Sequence, residues 1–453
     1  MKVAMAGAGP VGLFTAVALA RRGHEVAVVD RDPGPAADGT WERRGVMQFH
    51  HPHALRAQVV EALRVELPDV REAMLAAGAY EVHLTEGPRA GLTVGMQSRR
   101  STFERHLRAA AVAQPGVTFV TGHADEVLAV RGRAVGLRVD GAELPADLVI
   151  DATGRNGRLG GDGRAPAEGA DCGLAYVSRH YALRKGAGNG PTNNPVGLMN
   201  RFPGYLAGVF LQDARTVCLV IARLSTDRAL AELRHTDTFD AAVRIIPGLA
   251  EWTEPDRTRP ISPVLPGGHL HNAYRGQLGP DGRLPLPGLV HVGDAVCTTN
   301  PTAGRGIATG LMQARALIRL LAEQDGDVEA AALAFDDWCI RWIRPWYDDH
   351  MAWDPDEIAM LSGADVDLSR PLTSGWITAA VGADPALIRE VGPYLGMFAL
   401  PETLRAIEPR VRAIYEKGWR PPVPSGPTSA ELINSTLPRT PSGREASAAG
   451  RTS

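Results

Sequence analysis

The residues that most constrain this chain are its first thirty, MKVAMAGAGPVGLFTAVALARRGHEVAVVD. An apolar run at 2–6 leads into the turn Gly7-x-Gly9-x-x-Gly12. Residues 11–22 follow with helical periodicity, and a second apolar run occupies 25–30. The pattern predicts a strand, a turn, a helix and a second strand. Gly7 permits the tight turn, Gly9 lets a pyrophosphate approach the backbone, and Gly12 lets the helix pack closely on the strand. A phosphate would sit at the helix N-terminus, beside Pro10 and Val11. Asp30 ends the second strand, where an acidic side chain can accept ribose hydroxyls, and Arg31 follows it. The unit predicts dinucleotide binding without separating NAD from FAD.

The rest of the chain must be compatible with that start. Its 453 residues allow more than one domain, or one large composite domain. An apolar fraction of 44% and a charged fraction of 22% are ordinary for a soluble globular protein. A formal charge of −3 gives no reason to expect a nucleic-acid or anionic-membrane partner. Four scattered cysteines without a CxxC spacing predict neither structural zinc nor a disulfide framework, and fit a reducing, cytoplasmic setting. Glycines and a proline interrupt the apolar N-terminus, so it reads as a nucleotide fold and not as a signal peptide. No apolar run reaches the length of a membrane span.

Further along, 53–65 and 103–113 have helical periodicity, with Pro52 predicting a helix start at 52. Short strands are expected at 117–121, 126–130 and 134–139. LPADLVIDATG at 144–154 reads as a buried strand entering a glycine turn. From 171 to about 280, strand-like runs alternate with Pro- and Gly-rich turns, predicting a largely antiparallel sheet. PGLVHV at 287–292 returns to a buried strand, and 305–324 is helical. The expected fold is α/β: a Rossmann-like nucleotide domain with an inserted, mostly antiparallel α+β substrate domain and a helical C-terminal region. The expected boundaries are 1–170 with 285–326, 171–284, and 327–420, with part of 75–98 able to join the substrate sheet. The Pro-, Ser-, Thr- and Gly-rich segment 421–453 is expected to be a disordered tail.

Three separated segments carry a resemblance: GAGPVG with Asp30, DATG at 151–154, and GDAVCTTNPTAGRG at 293–306. Together they resemble the flavoprotein monooxygenases of the p-hydroxybenzoate hydroxylase fold, a fold shared with geranylgeranyl reductases and flavin-dependent halogenases. The resemblance covers roughly 1–330. It implies FAD, with the first turn on its ADP half and Asp294 near the ribityl chain. Pro301, Gly304, Arg305, Gly306 and Ile307 would approach the isoalloxazine ring, and the helix that follows would point its N-terminus at the edge where reduced flavin is negative. Gly304 and Gly306 would let the backbone come close without a Cβ. RRGVMQ at 43–48 resembles the segment where an arginine touches FAD, which implies Arg43 or Arg44. RRSTFERHL at 99–107 implies Arg100 at a phosphate or ribose. Val127 and Gly154 are also implied around the cofactor.

The resemblance implies reduction of the flavin by NAD(P)H, directly or through a separate flavin reductase, then reaction with O₂. The resulting C4a-hydroperoxide would transfer one oxygen atom to a small substrate by hydroxylation or epoxidation. Thr153-Gly154 replaces the Asp-Gly pair that many of these hydroxylases carry, which weakens the case for direct use of NAD(P)H. A reductase of the geranylgeranyl type is the alternative. A halogenase fits less well, because lysine occurs only at Lys2, Lys185 and Lys417 and no WxWxIP segment is present. A non-catalytic flavin-binding protein is the remaining reading. HHPH at 50–53 has poor spacing for a metal. His51 or His53 is instead expected to face the flavin or substrate and to shuttle protons by titrating between pH 5 and 8. Cys297 is expected to be a buried filler and not a flavin attachment point. Tyr176, Tyr181, Phe202, Tyr205 and Phe210 are candidate walls for an aromatic or polyketide-like substrate.

Overall fold

The computed structural model describes residues 1–85 and 89–436. Five parallel strands form the central sheet, in the order Leu289–His291, Leu148–Asp151, Lys2–Ala6, Glu25–Asp30, Val117–Thr121. Its inner strands are covered on both faces, as the alternation in the first strand shows. Val3 and Met5 face the helices, whereas Ala4 and Ala6 face a three-stranded meander, Ala124–Val130, Arg133–Val139 and Ala142–Pro145. The helix Pro10–Ala20 is buried on almost every side, lying between the sheet and the helices Arg100–Ala113 and Gly306–Glu323. Such a helix must be apolar all round, which explains its lack of a polar stripe.

The inserted domain is a second, antiparallel sheet. Gly197–Phe202, Tyr205–Leu211, Thr216–Leu224 and Leu174–Leu183 are neighbours in that order, and Thr258–Pro260 and Leu265–Gly267 both pair with the last. Side chains alternate between its faces. Tyr205, Ala207, Val209, Val217, Leu219 and Ile221 form a core with the helices Thr236–Val243 and Leu249–Trp252. Leu206, Phe210, Val220 and Ala222 point to the opposite face.

The C-terminal region packs against the nucleotide domain through Val328–Trp342 and Arg344–Leu361, followed by the shorter helices Ser374–Ala379, Ile388–Leu395 and Glu408–Glu416.

Three local expectations are corrected. The helix expected from 52 begins at Ala57, after a short strand at Leu55–Arg56 that pairs with Thr93–Gln97. Backbone pairing consumes the residues after Pro52. The segment 75–98 does not join the large sheet. Tyr80–His83 and Thr93–Gln97 make a small sheet with Leu55–Arg56. The expected tail contains a helix, Ser429–Thr436, because Leu432 and Ile433 find an apolar surface beside Thr236–Val243. The remainder of that tail, 437–453, lies outside the described residues.

Candidate functional site

The first turn has the geometry its glycines require. Gly7 has φ +103°, and a Cβ there would lie 2.4 Å from the Ala152 carbonyl oxygen. A Cβ on Gly12 would lie 2.0 Å from the Gly7 carbonyl oxygen. Both positions serve packing, and Gly12 does not line the cavity described below. Gly9 differs, since a Cβ there would meet nothing within 4 Å. Its open side faces the cavity.

Asp30 is held as much as it holds. Oδ2 accepts from the Ala8 N–H at 2.6 Å and from Arg43 Nη2 at 3.0 Å, while Oδ1 accepts from the Asp32 N–H at 2.8 Å. A carboxylate has about four acceptor sites, so one is left for a ribose. Arg43 also donates from Nη1 to Glu104 at 2.6 Å and to the Ala8 carbonyl at 2.9 Å, and lies beside Asp32. Burial alone would lower its pKa, but Glu104, Asp30 and Asp32 outweigh that and raise it. Arg43 thus lines the cavity from inside an ion cluster, whereas Arg31 and Arg44 are exposed at its rim. Arg100 lines the cavity too, paired with Glu104.

The DATG turn is built on a buried pair. Asp151 accepts from the Thr153 N–H at 2.9 Å and from its hydroxyl, and its other oxygen lies 2.8 Å from His291 Nδ1. Burial raises the carboxyl's pKa, but His291 and Thr153 more than reverse that. Gly154 follows with φ +83° and open space where a Cβ would stand.

In the downstream turn, Gly293 donates its N–H to Gln313 Oε1 at 2.8 Å. The Asp294 side chain opens into the cavity, yet protein surrounds it, and this burial raises its pKa. Pro301, Gly304, Gly306 and Ile307 line the same cavity, and Gly306 again leaves open space at its Cβ position. Asn300 braces the turn. It accepts from the Thr302 N–H and donates its own N–H to Asn272 Oδ1 at 2.7 Å, and Asn272 in turn donates to Asp354 at 2.7 Å. Cys297 is buried, with its thiol pushed up by desolvation.

Arg305 is a correction. It turns away from the cavity and donates to Asp349 Oδ2 at 2.7 Å and Tyr394 Oη at 2.5 Å, with Trp346 4.7 Å from its guanidinium carbon. A buried carboxylate and aromatic faces outcompete the cavity for this cation. Val127 is another. It lies in the meander, packed against the far face of the parallel sheet.

The histidines divide. His53 lines the cavity, while His51 lies behind it, Nδ1 2.8 Å from Ser178 Oγ and its ring edge-on to Tyr176 at 4.7 Å. His53 Nδ1–H donates to the His51 carbonyl at 2.9 Å, so Nε2 carries the lone pair, 3.4 Å from Arg100 Nη1. Burial lowers His53 to about 3, helped by Arg100, and lowers His51 to about 4. Both are thus held below the range of pH 5 to 8 in which the proton shuttle was expected to titrate.

Of the proposed wall residues, Tyr176 and Phe210 line the cavity. Burial pushes the Tyr176 hydroxyl up to about 12, so it stays protonated. Tyr181, Phe202 and Tyr205 do not line it, because strand alternation sends them to the opposite face. There Phe202 stacks on Tyr205 at 5.1 Å, and the Tyr205 hydroxyl donates to Pro427 O at 2.9 Å.

The three turns, with His53, Arg100, Tyr176 and Phe210, open into one cavity of about 1580 Å³. It runs from Gly9 and Asp30, past Gly154 and Asp294, to Gly306 and then into a chamber under the antiparallel sheet. Three glycines with open Cβ positions along one channel form a cradle that side chains would fill, and the donor and acceptor set fits an extended dinucleotide such as FAD. Sequence reasoning missed most of the chamber's outer wall. Arg201 and Glu357, joined at 2.7 Å, line it with Trp353, Ile388, Leu395 and Phe398. Among the described residues no cluster of three or more metal-ligating side chains occurs, and no helix is long and apolar enough to cross a membrane.

Comparison with known proteins agrees with this geometry. The family described as "FAD dependent oxidoreductase" matches residues 2–108. D-amino acid dehydrogenases of Sinorhizobium medicae and Rhizobium johnstonii are 47% and 49% identical over 49 residues, 11% of this chain and 12% of each relative's length. Those matches compare only a small part of either protein. Solved structures match far more of the fold. The flavin-dependent brominase Bmp2 superposes with a TM-score of 0.63 at 16% identity, over 92% of this chain and 100% of that one. The p-nitrophenol 4-monooxygenase PnpA of Pseudomonas putida gives 0.60 at 17%, over 89% and 97%. PqsL of Pseudomonas aeruginosa, described as a probable FAD-dependent monooxygenase, gives 0.53 at 15%, over 80% and 100%. Residues 2–108 therefore match the FAD-dependent oxidoreductase family, and the chain shares its overall fold with these solved flavin-dependent enzymes.

Proposed function

We propose that this chain is an FAD-dependent monooxygenase that inserts one atom of O₂, by hydroxylation or epoxidation, into a small aromatic or polyketide-like substrate. One observation carries the reading: the cavity is larger than one ligand needs, and its two ends differ in chemistry. Single-ligand pockets span about 300–1,000 Å³, so about 1580 Å³ leaves room for a second molecule beside the cofactor. The glycine-lined end suits a pyrophosphate and ribityl chain. The other end is walled by Tyr176, Leu206, Phe210, Val220 and Trp353, which suits an apolar ring.

Bound flavin would supply the two-electron chemistry that activates O₂. The chain's own residues would bind, orient and dry the site. Gly9, Gly154 and Gly306 admit the cofactor, and Asp294 accepts hydroxyls. The apolar chamber excludes water, which strengthens every polar contact inside it. His53 Nε2 is an unprotonated acceptor, and the Tyr176 hydroxyl is a protonated donor. None of the three lysines lines the cavity, which supports oxygen transfer over halogenation. NAD(P)H, used directly or through a separate reductase, is the proposed electron source.

The test has two parts. The purified chain should hold FAD by its absorbance. With reductant and a panel of phenols under ¹⁸O₂, it should release a product carrying one labelled atom. A reduced product without label would replace this reading with the reductase alternative.

A further inference from the structure

The loop Ala303–Arg305 is gripped from two sides, and the less expected grip comes from Arg56. This residue is partly buried, ends the short strand Leu55–Arg56 and lines the cavity. Its guanidinium donates to three main-chain carbonyls: Gly304 from Nε at 3.0 Å, Ala303 from Nη2, and Leu395 from Nη1 at 2.5 Å. It joins no ion pair among the described residues. Other buried arginines around the site are compensated, Arg43 by Asp30, Asp32 and Glu104 and Arg305 by Asp349, whereas Arg155 on the cavity wall, like Arg56, serves a main-chain carbonyl, that of His269. The charged and titratable groups nearest to Arg56 are Arg305, itself paired with Asp349, and Tyr394. Burial first, and Arg305 second, lower Arg56 to about 10, so it remains a cation at neutral pH.

Two consequences follow. A peptide group is planar, with its C=O and N–H antiparallel. By holding the Gly304 carbonyl, Arg56 turns the Arg305 N–H to the opposite side, where it finds no acceptor among the described residues. Arg56 therefore helps to set the orientation of the loop where the flavin's reactive end would lie, together with Asn300 and the Arg305–Asp349 pair. In addition, a cation in a poorly hydrated site with no carboxylate partner favours any nearby species that gains negative charge.

We propose that Arg56 is a positioning residue for the redox end of the cofactor, which orients the Ala303–Arg305 peptides and stabilises reduced flavin as its anion. The inference rests on the FAD reading above. In the step concerned, oxidised FAD takes up two electrons and one proton from an external reductant, leaving one negative charge on the ring. Arg56 would offset that charge.

The test is an anaerobic dithionite titration of the FAD-loaded chain against a reference dye, at several values between about pH 5.5 and 6.5. One proton per two electrons means a tenfold change per pH unit, about 30 mV for a two-electron couple. We expect that slope in the wild type. In Arg56→Met, which keeps the stem, we expect at least a tenfold loss of preference for the reduced form, a midpoint lower by about 30 mV or more. Arg56→Lys should fall between the two. A wild-type slope of about 60 mV, meaning two protons, overturns the proposal, as does an Arg56→Met midpoint equal to the wild type. If Arg56→Met does not hold the cofactor, Arg56→Gln decides, because it keeps a donor for these carbonyls without the charge, and a midpoint equal to the wild type overturns the proposal. A wild-type chain that takes up no FAD would instead sink the cofactor reading, and this inference with it.

Discussion

Arg43 and Asp30 meet at 3.0 Å, Nη2 to Oδ2, and the same arginine reaches the fully buried carboxylate of Glu104 at 2.6 Å. The acid assigned to the ribose is thus held in place by a cation from a segment outside the nucleotide-binding unit. Removing one partner of a buried ion pair costs about 3–5 kcal/mol, because the remaining charges stay buried. Arg43→Met should therefore lower stability by about that amount and weaken FAD retention. Denaturant melts and FAD titrations check both.

The glycines separate packing from cofactor approach. Gly9→Ala and Gly306→Ala place a methyl where nothing protein-made stands within 4 Å. Apo-protein stability should change by no more than about 1 kcal/mol, while FAD affinity should fall at least tenfold. Gly12→Ala drives a methyl to 2.0 Å from a backbone oxygen and should destabilise the apo-protein itself. Comparing thermal melts with FAD dissociation constants for the three variants distinguishes the roles.

Acid should destabilise the fold before its carboxylates titrate. His51 and His53 are lowered to about 4 and about 3, and burial also lowers His180, His291 and His350. A histidine in the unfolded chain titrates near 6.5. Below that value the unfolded state binds more protons than the folded one, so this stability is complete above pH 6.5 and is lost as pH falls towards the folded pKa values. Each such histidine contributes up to about 1.4 kcal/mol per pH unit. Urea melts at pH 7.5, 6.5 and 5.5 should show the decline, and His53→Gln should make it shallower. Any limb in the turnover profile between pH 5 and 8 should survive His51→Gln and His53→Gln.

The two faces of the antiparallel sheet give a paired test. Phe202→Ala empties a buried site on the far face and should cost about 3–5 kcal/mol while leaving substrate KM unchanged. Phe210→Ala, on the cavity face, should change KM or product distribution with a smaller loss of stability. If Phe202→Ala alone altered KM, the assignment of the faces would be wrong.

The fold of the first unit and of the downstream turn was legible because its determinants are local. Gly7, Gly9, Gly12 and Asp30 lie within one strand–helix–strand unit, and the turn around Gly304 and Gly306 carries its glycines in a short loop. Arg305 was misread because its fate depends on Asp349 and Tyr394, which lie far along the chain and are brought in by helix packing. Tyr181, Phe202 and Tyr205 were misread for a simpler reason. Their strand parity was available: Tyr181 is an odd number of positions from Tyr176, and a wall made of every aromatic residue ignores the period of two. The histidines looked titratable because spacing carries no information on burial. Arg56 gave no signal at all, since an arginine that serves backbone carbonyls has no partner motif.

The order of strands in the parallel sheet has a consequence for biosynthesis. Leu289–His291 pairs with Leu148–Asp151, so the sheet that carries the first turn cannot be completed until the whole inserted domain has left the ribosome. At about 5–20 residues per second, Gly12 waits tens of seconds for Gly293. During that interval the cavity lacks the wall that Gly293, Asp294, Pro301, Gly304 and Gly306 supply, so it is completed only after most of the polypeptide has been made.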